Sequence, residues 1–390
     1  MKTAKEKLAD VGAAVPRLLF PKEGINLQKF AVIACDQYSA QEEYWDAVRD
    51  FIGSAPSSLQ LMMPEAWLGK EPSHENAVPE HMRRYLADGT LREIGRGMMF
   101  LHRGTTTGVR RGLLLSLDLE QYDFAPDSSS LIRATEKTIQ ERLPARVAIR
   151  SKAPLEMPHI MVLLDDRENR LMGALDQIAA GRAPFYDFSL MMDSGSLKGW
   201  FLQEESIFDA VADILAQLKA QSRAGMLYAM GDGNHSFAAA KEHWDTRKAG
   251  LTAAQRESHP ARFGLVELVN LYDPALVFEP IHRLLIGVDP HAVQRDLGFD
   301  AKNPPPLQKL QPQLDGWLDQ HPQAQLEYIH GAEDCRRLGR APDRLAIVWS
   351  KFDKESLFSD IARHGVLCRK SFSMGSAPDK RFYLECRKIQ

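Results

Sequence analysis

An apolar run, residues 227–230, stops abruptly at Gly231-Asp-Gly-Asn-His-Ser236, and the next residues change period. Phe237, Ala240 and Trp244 fall at i, i+3 and i+7 in a stretch with strong helix formers and no breaker, which predicts a helix burying that face. Upstream, Ile207, Val211, Ile214, Leu215 and Leu218 mark residues 204–220 as an amphipathic helix feeding the 227–230 strand. Helix, strand, Gly-rich turn and helix in succession is a layered α/β arrangement. Other strands are expected at 91–102 and 108–119, joined by a hairpin loop at 103–108. Further strands are expected at 160–164, 185–192, 197–202, 262–271 and 276–286, with Pro280 making the last a bulged or edge strand.

Toward the termini the pattern is less regular. Apolar stretches at 15–20 and 30–34 read as short strands. A helix at about 39–51 has Ser39 as N-cap and Glu42 in capping-box position. Residues 59–63 read as a strand, 71–79 as a Pro-punctuated loop, and 80–87 and 171–180 as helices. The charged stretch 131–150 reads as a solvated helix laced by i, i+4 pairs. Beyond Asn303-Pro-Pro-Pro306 come a helix at 307–318, strands at 325–329 and 345–349, and a terminal strand pair at 366–372 and 380–387. The expected fold is α+β or mixed α/β. Its expected regions are an N-terminal α+β part (1–130), a core carrying the 231–236 turn (131–300) and a smaller C-terminal α+β part (301–390).

Composition narrows the class. The 390 residues are 44% hydrophobic and 26% charged, as in ordinary globular chains. Forty-nine basic against 52 acidic residues give a net charge of −3, so no overall basic field recruits nucleic acid or an acidic membrane. Cys35, Cys335, Cys368 and Cys386 are scattered without Cys-x-x-Cys spacing, so neither a disulfide framework nor a structural zinc site is expected. No signal-peptide core and no run of about 20 apolar residues appears. A cytoplasmic, small-molecule-binding protein is the expectation; oligomeric state leaves no sequence signal.

The 231–236 turn carries the most chemistry. Gly231 and Gly233 permit backbone conformations closed to other residues, and Asn234 or Ser236 suits a helix N-cap. Orphan N–H groups and the positive end of a helix dipole there form a natural seat for phosphate or carboxylate. Asp36 and Gln37, at another strand-to-helix junction, offer a second wall. Glu279, His282 and Arg283 form a compact acid, base and cation set, though His282 and Arg283 should face opposite sides of a strand. His159 reads equally as a core or a site histidine. Lys370, Ser371 and Lys380 could reach a phosphate or simply form a basic edge.

Several stretches together, among them Arg133-Ala-Thr-Glu-Lys-Thr138, Pro158-His-Ile-Met161, Gly231-Asp-Gly-Asn-His-Ser236, Glu279-Pro-Ile-His-Arg283 and Lys370-Ser-Phe-Ser373, resemble the family known as domain of unknown function 1015. Its signature turn resembles that of ParB-like and sulfiredoxin-like proteins, in which a mixed α/β domain holds a nucleotide phosphate. Asp232, Gly233 and His235 match that signature; Asn234 replaces its first His and Ser236 its Arg. The resemblance implies a phosphate or nucleotide site built from Gly231, Asp232, Gly233, Asn234, Ser236, Arg133, Lys137 and Arg283. It implies Mg²⁺ on Asp232, ATP or ADP as nucleotide, and Glu136, His235 or His282 in proton transfer. The leading expectation is a small-molecule phosphotransferase. The alternatives are a nucleotide-binding regulatory protein without chemistry, favoured by Ser236, and a metal-dependent hydrolase, for which His235 and His243 are too far apart on a helix to share an ion. No helix-turn-helix or basic arm supports DNA binding.

Overall fold

The computed structural model describes Lys2–Gln390, the side chain of Arg142 excepted. The fold is mixed α/β, with thirteen α-helices and a large mixed sheet among the described residues. The chain forms two compact units. One comprises residues 1–134, 138–276 and 376–390; the other comprises 135–137 and 277–375. Both units are therefore discontinuous, and they cut the chain at other places than the three consecutive regions expected.

The larger unit is built on ten strands: β1 (Ala13–Ala14), β2 (Met98–Thr105), β3 (Gly108–Asp118), β4 (Tyr122–Asp123), β5 (Ile132–Arg133), β6 (Met161–Leu164), β7 (Tyr186–Ser189), β8 (Ser196–Leu202), β9 (Tyr228–Asp232) and β10 (Phe263–Asn270). Their order is β7-β8-β2-β3-β10-β6-β9-β5-β4, with β1 added to β3. Strands β6 and β10 are parallel, as are β5 with β9 and with β4; the remaining pairs are antiparallel. Period-2 alternation divides the sheet's side chains between two cores. Leu113, Leu115, Val162, Met230 and Val266 join one core, with α1 (Ala4–Asp10), α2 (Arg170–Ala180), α3 (Glu205–Gln221) and α4 (Asn234–Lys248). Leu114, Met99, Leu101 and Leu265 join the other, with Phe30, Trp45 and the C-terminal Phe382 and Leu384.

In α4 the expected face of Phe237, Ala240 and Trp244 is fully buried, and so are Ala238 and Ala239. Small side chains let neighbours approach almost all round the first turns. Several local expectations give way to tertiary context. The 59–63 stretch is a 3₁₀ turn (Ser58–Leu61), and Pro72, at the first helical position, opens a helix running to Ala87 through the segment expected to be a loop. The helix near Ser39 starts later, at Glu42, with Gln41 as N-cap. The charged 131–150 stretch splits into β5, a 3₁₀ turn and a helix, Leu143–Lys152.

The smaller unit has β11 (Phe278–Pro280), β12 (His282–Ile286), β13 (Gln325–Ile329), β14 (Arg344–Ile347) and β15 (Phe372–Met374). Pro280 does break the expected 276–286 strand: β11 pairs with β15, while β12 lies between β13 and β14. Leu285, Val293, Leu310, Leu314, Leu345 and Ile347 form its core. The expected terminal strand pair does not form. Phe372–Met374 pairs with β11, and Phe382–Tyr383 instead pairs with Val32–Ile33 in the larger unit.

Candidate functional site

Strand β9 reaches its turn through a bulge. Met161 pairs with Asp232 and Val162 with Met230, so Gly231 has no partner. A bulge re-aims the side chain that follows it. Gly233 then becomes the N-cap of α4 in the left-handed region, at φ 75°, and as a glycine it has no side chain with which to cap the helix. A Cβ on Gly233 would lie 2.9 Å from Ile160 Cγ1 and 3.0 Å from its Cα. Glycine is thus required twice over there, by backbone and by space. Gly231 is not in the left-handed region, and neither Asn234 nor Ser236 is the cap, contrary to the sequence reading.

Asp232 leaves the bulge with both carboxylate oxygens engaged. Oδ2 accepts from Lys380 Nζ at 3.0 Å and Oδ1 from the Gly233 N–H at 2.9 Å. Burial works against its ionised form, but Lys380, then His159 and Gly233, outweigh it and hold the carboxyl below the usual range. Ser236, in the first turn of α4, lies 3.1 Å from His159 Nε2, and His159 Nδ1 lies 2.6 Å from the Tyr383 hydroxyl. Tyr383 Oη also accepts from the Cys35 N–H at 3.4 Å and donates to Cys35 Sγ at 3.2 Å. With the Tyr383 proton directed to sulfur, the matching imidazole tautomer carries its hydrogen on Nδ1. Nε2 is then a lone pair facing Ser236. Burial first, then Cys35 and Asp36, pushes the Tyr383 hydroxyl well up, so it keeps its proton. Burial likewise pushes the Cys35 thiol up to about 12, so it is no ready nucleophile.

The C-terminal segment holds these groups in place. Pairing of Phe382–Tyr383 with Val32–Ile33 sets Tyr383 beside Cys35. Buried Arg381 donates to the Pro158 carbonyl at 2.9 Å, next to His159, and to Glu267 and Glu385 at 2.5 and 2.7 Å. Gly112 opposite leaves the room that the Glu267 carboxylate fills. Sequence reading singled out His159 and Lys380 only as ambiguous residues, and it missed Tyr383 and Arg381. The short apolar run at residues 382–384, close behind Lys380-Arg381, was the available signal.

The other expected site residues are placed elsewhere. His235 Nε2 accepts the Ile139 N–H at 3.2 Å, which occupies its basic nitrogen. Arg133 is buried, donating from Nε to the Ser130 carbonyl at 2.8 Å and also to the Ala224 carbonyl. It therefore ties down backbone in the larger unit. In the smaller unit, buried Arg283 donates to Gln311 Oε1 and to the carbonyls of Ile281, Lys370 and Arg369. Glu136 accepts the N–H groups of Lys370 and Ser371 at 3.1 and 2.8 Å; burial raises its pKa despite these bonds. Lys137 is exposed. His282 is buried, and desolvation together with Arg336 and Arg283 pulls it down to about 4. Among the described residues no group of three His, Cys, Asp or Glu side chains is placed to hold a metal ion. A cation on Asp232 would have to displace Lys380.

The strand–bulge–helix turn thus brings together the Asp232–Lys380 ion pair and a Ser236–His159–Tyr383 chain at the start of α4. The chain belongs to the family described as protein of unknown function (DUF1015), whose profile matches residues 19–306. No curated protein matches it. Among solved structures, a free serine kinase variant in complex with ADP aligns at a TM-score of 0.38 and 10% identity, over 74% of this chain and 95% of its own. A free serine kinase in complex with AMP gives 0.38 and 11%, over 71% and 92%. A conserved hypothetical protein from Pyrococcus furiosus gives 0.33 and 11%, over 67% and 90%. At such TM-scores these likenesses lend the chain neither residues nor an activity. No helix of the described residues is long and apolar enough to cross a membrane.

Proposed function

We propose that the protein is a nucleotide-dependent small-molecule phosphotransferase. Phosphoryl transfer needs N–H donors and cations around the phosphates and a place for the acceptor's proton. The observation that carries the reading is a helix that starts at Gly233, with the Lys380–Asp232 ion pair at the turn before it and His159 Nε2 3.1 Å from Ser236 in its first turn. The first turn of a helix presents N–H groups that lack intrahelical acceptors, and the dipole adds about half a positive charge there. Lys380 supplies a full charge, and Asp232 holds that ammonium in position. His159 takes a proton at Nε2, and the imidazolium so formed faces the Asp232 carboxylate, whose charge it stabilises in return. A Mg²⁺ accompanying the nucleotide would be held mainly by phosphate oxygens and water, since both Asp232 oxygens are engaged.

The second reading, a nucleotide-binding regulatory protein, is favoured by the engagement of both Asp232 oxygens, which leaves no unbound carboxylate at the turn. The metal-dependent hydrolase has no ligand cluster to support it among the described residues. Thermal shift with ATP, ADP, GTP and CTP, each with and without Mg²⁺, tests the proposal. A specific ligand raises the unfolding temperature by mass action. The expected result is stabilisation by a nucleotide, lost in Lys380→Met, with transfer to a hydroxyl compound on turnover. Binding without turnover selects the regulatory reading, and no stabilisation by any nucleotide overturns both.

A further inference from the structure

We propose that Ser236 is a nucleophile activated by His159, and that it receives a phosphoryl group covalently before passing it on. The donor rests on the phosphotransferase reading; the nucleophile stands on geometry alone. Three features converge on the Ser236 hydroxyl. Its oxygen lies 3.1 Å from His159 Nε2. The tautomer this requires, with the hydrogen on Nδ1 and Nε2 unprotonated, is the one that goes with Tyr383, 2.6 Å from Nδ1, donating its proton to Cys35 Sγ. The hydroxyl also sits in the first turn of a fifteen-residue helix, where the helix dipole favours negative charge developing on a transferring group. A serine paired with a base that a third group orients is the general arrangement of nucleophilic catalysis.

In the first step Ser236 Oγ forms a bond to the terminal phosphorus of a nucleoside triphosphate, and His159 Nε2 takes the hydroxyl proton. The P–O bond to the nucleoside diphosphate breaks, the electron pair leaves with that oxygen, and the imidazolium passes its proton to the departing diphosphate, which restores the Nε2 lone pair. In the second step an acceptor hydroxyl gives its proton to Nε2 and attacks the phosphoserine, and Ser236 Oγ departs with the electron pair and recovers a proton from the imidazolium. No oxidant or reductant is involved. Tyr383 is a positioning residue: it fixes the imidazole and touches no reacting atom.

The test uses the full chain and two probes. A fluorophosphonate reads serine nucleophilicity without nucleotide recognition, and ATP labelled in its terminal phosphate with Mg²⁺ reads phosphoserine; both adducts are mapped by peptide mass spectrometry. The expected result is both labels on Ser236, their loss in Ser236→Ala, and at least a hundredfold slower labelling in His159→Gln. In Tyr383→Phe the labelling rate should fall about tenfold while nucleotide affinity holds, which a merely structural tyrosine would not produce. Circular dichroism confirms that each variant is folded. Nucleotide binding with neither label on Ser236 overturns the inference and leaves the phosphotransferase reading. Fluorophosphonate labelling without any nucleotide binding overturns that reading and keeps the nucleophile. Nucleotide binding with only the fluorophosphonate adduct overturns the covalent route.

Discussion

Gly233→Ala is the substitution that tests the turn most directly. The residue sits at φ 75°, and its new Cβ would fall 2.9 Å from Ile160 Cγ1 and 3.0 Å from Ile160 Cα. The left-handed backbone alone costs an alanine roughly 1–2 kcal/mol. The Cγ1 contact could be relieved by a rotamer change, but the Cα belongs to backbone entering β6, whose register with β9 and β10 is fixed. Overpacking against an unyielding neighbour adds about 1–3 kcal/mol. A total of about 2–5 kcal/mol follows, with the turn displaced as well, so that Asp232 loses the Gly233 N–H bond. Urea unfolding followed by circular dichroism measures the loss as a lower midpoint at unchanged slope. Gly173→Ala is the control in the same unit. It lies inside α2 with Asn169 Nδ2 at an ordinary 3.7 Å and should gain about 0.5–1 kcal/mol. A Gly233→Ala loss below about 1 kcal/mol, with nucleotide binding retained, would refute the reasoning about the turn.

Lys380→Met strands the half-buried Asp232 carboxylate. It should cost about 2–3 kcal/mol in urea unfolding, below the range for fully buried pairs because Asp232 keeps 23% of its side-chain surface. Lys380→Arg should recover most of the stability. Glu267→Gln removes the charge between Arg381, at 2.5 Å, and Arg110, at 3.6 Å, and should cost about 3–5 kcal/mol because two buried cations lose their counter-ion; an unchanged urea midpoint would contradict this. His282 gives a pH signature. Its pKa is lowered to about 4 in the folded chain, so as pH falls below its ordinary 6.5 the unfolded chain takes up the proton first. Its contribution is present above 6.5 and is lost between 6.5 and 4, at most about 3 kcal/mol. His282→Gln should flatten the fall of the urea midpoint between pH 7 and 5, and an identical slope would show that His282 does not titrate as described.

The sequence determined a good deal at short range. The mixed α/β class, the hairpin around residues 103–108, the α3–β9–turn–α4 succession and the break at Pro280 follow from period, breaker residues and backbone freedom, which act within a few residues. The family was legible from quoted stretches spread along the chain. Ser236 and Asp232 were legible as candidates because they belong to a local turn. What tertiary structure alone decided is which distant groups meet them. Lys380 reaches Asp232 across 148 residues and Tyr383 reaches His159 across 224, and no periodicity encodes either encounter. Residues 380–387 read as half of a terminal strand pair, yet Phe382–Tyr383 joins Val32–Ile33, because the cost of closing a loop grows only slowly with its length while the burial gained is local. Arg133 and Arg283 fail as free cations for the same reason. Neighbouring carbonyls that only the fold assembles claim their guanidinium groups, and a buried arginine must satisfy its donors wherever acceptors are found.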